Sequence, residues 1–147
     1  MSNLVTIKQA IALAAIGYNK PTIRYAYDFD GELKLQKDIR YINAKLVKLI
    51  LPIPTVDEVI DWFRCKHHVI IYNSIEPFVD PIDNRIKYGY RVKKCDVRWG
   101  WNSRMYIGNR ILSYDINSAK RKAISVAISY IKKQKQYAKS RTNRKNR

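Results

Sequence analysis

Hydrophobic and polar positions along this 147-residue chain change period several times, and each change marks an element. Ile7, Ala10, Ile11, Ala14 and Ala15 recur at helical spacing. Thr6 with Gln9 three residues on forms a capping box, which satisfies orphan N–H groups at a helix start. Gly17, tolerant of left-handed geometry, is placed to end that helix. Ile23, Tyr25 and Tyr27 then alternate with Arg24, Ala26 and Asp28. The turn residues "DFDG" at 28–31 and the continuing Leu33 and Leu35 predict a hairpin. Residues 37–54 read as a short strand or extended segment ending at Pro52. Thr55 with Glu58 is a second capping box. Behind it Val56, Val59, Ile60 and Phe63 make a helical stripe with Trp62 at its edge. Asp57 and Glu58 suit the positive end of that helix, and Arg64, Lys66 and His67 its negative end.

The second half repeats these signals. "VIIYN" at 69–73 predicts a buried strand. Residues 76–84, with two prolines and several acids, predict a loop. A strand follows from 85, then a turn near 100–103 and a short strand at 105–107. A last helix runs from a cap at Ser113 or Asp115 to about residue 133. Its apolar face is Ala119, Ala123, Ala127, Ile124, Ile128 and Ile131. Residues 134–147 contain no Val, Ile, Leu or Phe, which predicts a basic disordered tail. The order α-β-β-(β)-α-β-β-β-α predicts an α+β fold. The expectation is a single domain over 1–133, with about three helices on one face of an antiparallel sheet, and a flexible basic tail over 134–147.

"RIKYGYRVKKCDVRWGW", residues 85–101, interleaves cations and rings almost residue by residue. Strand side chains alternate faces. Ile86, Tyr88, Tyr90 and Val92 therefore share one face, and Arg85, Lys87, Gly89, Arg91 and Lys93 the other. Tyrosines in register with aliphatics read as core, not as a platform for stacking bases. The opposite face reads as a positive surface, extended by Lys94, Arg98 and Arg104. Trp99 and Trp101, flanking Gly100 at a strand end, are the candidate stacking rings; the alternative is that both plug the sheet edge.

Charge sharpens this picture. The net charge is +17, and it is unevenly placed. Residues 1–75 carry ten Lys/Arg against seven acids, whereas 76–147 carry nineteen against five. After Asp115 there are eleven Lys/Arg and no acid. Solubility alone needs a net charge of only about 2–8 on a small domain, so the bias points to a polyanion: nucleic acid first, an anionic membrane surface second, an acidic protein third. Lys132, Lys133, Lys135, Lys139, Arg141, Arg144, Lys145 and Arg147 would form an electrostatic arm.

Enzyme chemistry finds no foothold in the pattern. The five glycines fall in no phosphate-loop spacing, and the sparse acids sit mostly at caps and turns. Cys65, His67, His68 and Cys95 do not have zinc-finger spacing, so no metal or other cofactor is expected. Two cysteines make no disulfide framework, which suits a reducing cytoplasm. No signal peptide is apparent and no stretch approaches the ~20 apolar residues of a membrane span. The chain is expected to be soluble, not membrane-bound and not exported by itself.

"TIKQAIALAAIGYNKPT", "PIPTVDEVIDWFRCKHHVII" and "SYDINSAKRKAISVAISYI" together resemble a group of short proteins encoded by tailed phages and mobile elements of gut Bacteroides-type bacteria. The shared features are the opening helix ending in Gly17 and Tyr18, the cap before the helix with Trp62, and the final Ala/Ile helix. They span about residues 6–132. The resemblance implies a phage or mobile-element origin and a host bacterial cytoplasm or virion setting, and carries no functional residue over. The basic second half departs from the usual pattern of the group. The reading is a non-enzymatic accessory protein binding DNA or RNA through a basic sheet face and C-terminal arm. The alternative is a minor structural virion component, in contact with phage virion proteins, or a small inhibitor docking on an acidic host protein.

Overall fold

In a computed structural model, which describes residues 3–22, 24–29, 32–36, 50–95 and 104–146, three helices alternate with six strands in an α+β arrangement. The strands form two antiparallel three-stranded sheets in place of the one sheet expected. The chain divides into two compact units, Met1–Glu58 and Val59–Arg147.

In the first unit, α1 (Ile7–Ala15) starts at the capping box. The Thr6 side chain accepts from Gln9 N at 3.1 Å, and Gln9 Oε1 accepts from Thr6 N at 3.2 Å. Ala10 and Leu13 are buried beneath the helix. Gly17 takes φ +100, the left-handed geometry a side chain would resist. Strand β1 (Tyr25–Phe29) pairs with β2 (Glu32–Gln36) on one side and β3 (Ile50–Pro52) on the other, giving the order β2-β1-β3. Most of residues 37–54, where the sequence signal is ambiguous, lies outside the described residues. Burial, seconded by the Glu58 charge, pushes the Tyr18 hydroxyl up to about 12. The second capping box also forms: Thr55 N donates to Glu58 Oε2 at 2.7 Å, and Glu58 N to Thr55 Oγ1 at 3.2 Å. It opens α2 (Val56–His67), whose first turn closes this unit.

In the second unit, β4 (Val69–Val79), β5 (Ile86–Cys95) and β6 (Arg104–Ser113) form a meander in that order. Two strands are longer than expected. The pattern predicts a loop from 76, yet β4 runs through Pro77 to Val79. Proline is tolerated because β4 is an edge strand whose register slips between Asn73 and Ile75 and again between Ile75 and Phe78. The connection shrinks to a tight turn built on Asp80: its N–H bonds Arg85 O at 2.8 Å and its carboxylate accepts from Ile82 N at 2.9 Å. Likewise β6 extends to Ser113, not Ile107. Gly108, at φ +68, takes up the extra residues where the β5–β6 register shifts between Tyr90 and Val92.

Helix α3 (Ile116–Lys145) lies against β4, β5 and β6. Asp115 caps it, accepting from Ser118 N at 2.7 Å. Ala119, Ala123 and Ala127, one turn apart, let the backbone come close. Ile124, Ile128 and Ile131 fill the space around them, at roughly 1.5–3 kcal/mol per buried side chain. The tail expected to be disordered is instead the continuation of this helix to Lys145. Its Lys, Gln, Ala and Arg residues are good helix formers with no Gly or Pro among them. Adding turns to a helix already nucleated by packing costs far less than starting one. Among the described residues no helix is long and apolar enough to cross a membrane.

Candidate nucleic-acid interface

Strand β5 separates its side chains by face. Tyr90 and Val92 are buried, whereas Arg91 and Lys93 between and beyond them are half-buried; the expected core face stops short of the strand's start, where Tyr88 is half-buried and Ile86 exposed beside the β4–β5 turn. The cations of that second face do not stand alone. The Arg91 guanidinium lies 3.8 Å from the centre of the Tyr106 ring on β6, and Lys93 Nζ lies 5.0 Å from the centre of Tyr72 on β4. At the far end, Arg85 and Lys87 sit 4.1 and 5.1 Å from the ring of Tyr114. Cation and aromatic quadrupole attract at such distances. For Arg91 and Lys93 each contact is diagonal: Arg91 stands opposite Tyr72 and Lys93 opposite Tyr106 in the register, and each cation reaches the ring two residues along on the other neighbouring strand. Tyr72, Tyr106 and Tyr114 are thus members of the basic face that sequence reasoning missed. No local pattern marks them, because each comes from a distant part of the chain: Tyr72 from β4, Tyr106 from β6 and Tyr114 from the β6–α3 junction.

The predicted cations do not all have the same standing. Lys87 forms a salt bridge with Asp80, and this contact is the main reason the carboxylate is held below its ordinary range and the ammonium above its own. Tyr114 OH donates to Asp83, and that bond is the main reason its hydroxyl is raised. Arg85 and Lys87 therefore belong to a cluster that braces the β4–β5 turn. Lys94 does not extend the face of Arg91 and Lys93: alternation turns it to the other side, and its Nζ donates to His67 O at the C-terminus of α2. That is where a cation completes orphan carbonyls. Arg91 Nε is buried with no hydrogen-bond partner among the described residues. Arg104 opens β6, and Arg98, Trp99, Trp101 and Arg147 lie outside the described residues.

Lys94 also contributes to the setting of His67. This ring stacks edge-on against Trp62, with centres 4.7 Å apart, and its Nε2 is buried without a partner among the described residues. Burial first, then the charges of Lys135, Lys94, Lys66 and His68, push its imidazole below the ordinary range. Cys65 is exposed and Cys95 buried, and among the described residues no three His, Cys, Asp or Glu side chains gather as metal ligands.

The arm cations lie on α3. Ile131 is its last buried residue, and every position from 132 to 146 is exposed. Lys133, at the start of this stretch, lines an open cleft with Ile107, Gly108, Ser129 and Tyr130. At about 100° per residue, Lys132, Lys133, Lys135, Lys139, Arg141, Arg144 and Lys145 fall at about 0, 100, 300, 340, 180, 120 and 220°. The cations encircle the helix and leave no sector wider than about 100°. Tyr137, 71% exposed, stands among them. Comparison with protein-family models, with curated proteins and with solved structures finds no match for this chain.

Proposed function

We propose that this chain is a non-enzymatic nucleic-acid-binding accessory protein of a phage or mobile element, acting in the host bacterial cytoplasm or the virion. The observation that carries the reading is the C-terminal part of α3, exposed at every position, rich in cations and free of acids. Such a surface is costly for a protein alone, because like charges repel, and it is offset when phosphates replace the released counterions. The β5 face adds Arg91 and Lys93. Phosphate contacts of this kind position a protein on nucleic acid and read little sequence. The test is fluorescence anisotropy with labelled DNA and RNA across a salt series. Neutralising about six phosphates gives a slope near −5 in log affinity against log salt on duplex DNA. Absence of binding at low salt refutes the reading.

One observation favours a second reading, a minor virion component or an inhibitor docking on an acidic host protein. The β4–β5 hairpin end exposes apolar side chains: Ile82 is 93%, Val79 55% and Ile86 51% accessible. Apolar groups grouped beside a cationic surface suit a protein partner. Loss of nucleic-acid binding together with self-association or partner capture abolished by Ile82→Ser would replace the first reading with this one.

A further inference from the structure

The residues beyond Ile131 are a helix with cations on every side, and that geometry selects among polyanions. A surface that presents phosphates from one side, such as an anionic bilayer, is matched by a helix with one charged and one apolar face. Here Tyr137 and Ala138 are the sole hydrophobic residues between Lys132 and Arg147, so no apolar face exists. Cations at all azimuths are used only where phosphates stand on both flanks. A helix with its side chains is about 10–12 Å across, and the major groove of B-form DNA is about 12 Å wide with a phosphate backbone along each wall. The major groove of A-form RNA is deep and too narrow for side chains to read. The exposed stretch 132–145 covers about 21 Å at 1.5 Å per residue, enough to follow the groove through several base pairs.

We infer that the C-terminal part of α3 seats as a helix in the major groove of duplex DNA, an assignment that rests on the nucleic-acid-binding reading above and names its partner and groove. Arg141 and Arg144, about 60° apart around the helix, can then face guanine edges together, where O6 and N7 offer acceptors. Lys135 with Lys139, and Arg141 with Lys145, are like charges four residues apart, which weakens the helix in the free protein. Phosphates on both flanks relieve that repulsion, so binding and helicity rise together.

The experiment compares three ligands of one sequence by anisotropy at low salt: a plain DNA duplex, the same duplex with glucosylated 5-hydroxymethylcytosine filling the major groove, and the RNA duplex. It uses the full-length protein and Ala138→Pro, which breaks the helix and keeps every charge. The expected result is that wild type prefers the plain duplex by about tenfold over each of the others, the scale of one base-edge contact. Ala138→Pro loses this preference, and circular dichroism of the wild type gains helical signal when plain duplex is added. Equal affinity of the wild type for all three duplexes overturns the groove assignment and leaves phosphate binding standing. So does an Ala138→Pro protein that keeps the wild-type preference. No binding to any duplex overturns both.

Discussion

Tyr90 and Arg91 are neighbours on β5, and their truncation should produce opposite phenotypes. Tyr90 is 7% exposed, on the buried face with Val92. Replacing a buried large aromatic by alanine costs about 3–5 kcal/mol through lost burial and the cavity left behind. Tyr90→Ala should therefore shift the urea midpoint far downward at an unchanged m-value. Arg91→Ala removes a cation–π contact with Tyr106, worth about 0.5–1 kcal/mol at a partly exposed site. It also removes a buried Nε that has no partner among the described residues, and relief of that desolvation offsets the loss. The net change in stability should stay within about 1 kcal/mol. Binding should respond instead: losing one phosphate contact on duplex DNA flattens the salt slope by about 0.9. Urea unfolding and anisotropy on the same preparations give both readouts. If Tyr90→Ala left unfolding unchanged and abolished binding, the faces would be reversed, and the β5 rings would be the platform for bases.

Further outcomes follow from the same geometry. A Cβ at residue 89 would lie 2.4 Å from Ile75 Cγ1, so Gly89→Ala should destabilise by about 1–3 kcal/mol. Adding Ile75→Ala should recover part of that loss, and an additive double-mutant cycle would contradict the clash. Truncation after Lys133 should leave the melting temperature nearly unchanged, since no described residue beyond Ile131 is buried, while helical ellipticity and the salt slope both fall. His67 has a folded-state pKa pushed below its ordinary 6.5, so the unfolded chain binds the proton first. Stability should be full above that pH and decline as pH falls through 6.5 toward the folded value. His67→Phe, which keeps a ring against Trp62, should flatten that dependence; an unchanged pH profile would show that His67 is not its source.

Local chemistry written in neighbouring residues was legible without the structure. Both capping boxes, the stop at Gly17, the Ala/Ile stripe of α3 and the order of helices and strands depend on contacts within a few residues. So does the segregation of Tyr90 and Val92 from Arg91 and Lys93, because strand alternation is a local rule. Composition alone placed the excess charge in the second half. Tertiary structure decided whatever depends on a distant partner. Division into two three-stranded sheets is a matter of which strands pair. Pro77 ends no strand because β4 has an open edge, and Gly108 extends β6 because a bulge absorbs the register shift. Tyr72 and Tyr106 meet the β5 cations only once register brings separate strands together, and Tyr114 meets Arg85 and Lys87, and Asp80 meets Lys87, only once the fold brings distant parts of the chain together. The C-terminal residues lack a hydrophobic pattern and read as a tail. They are helical because a packed helix precedes them, and nucleation, the expensive step, has already been met by Ala119 through Ile131 on the sheet.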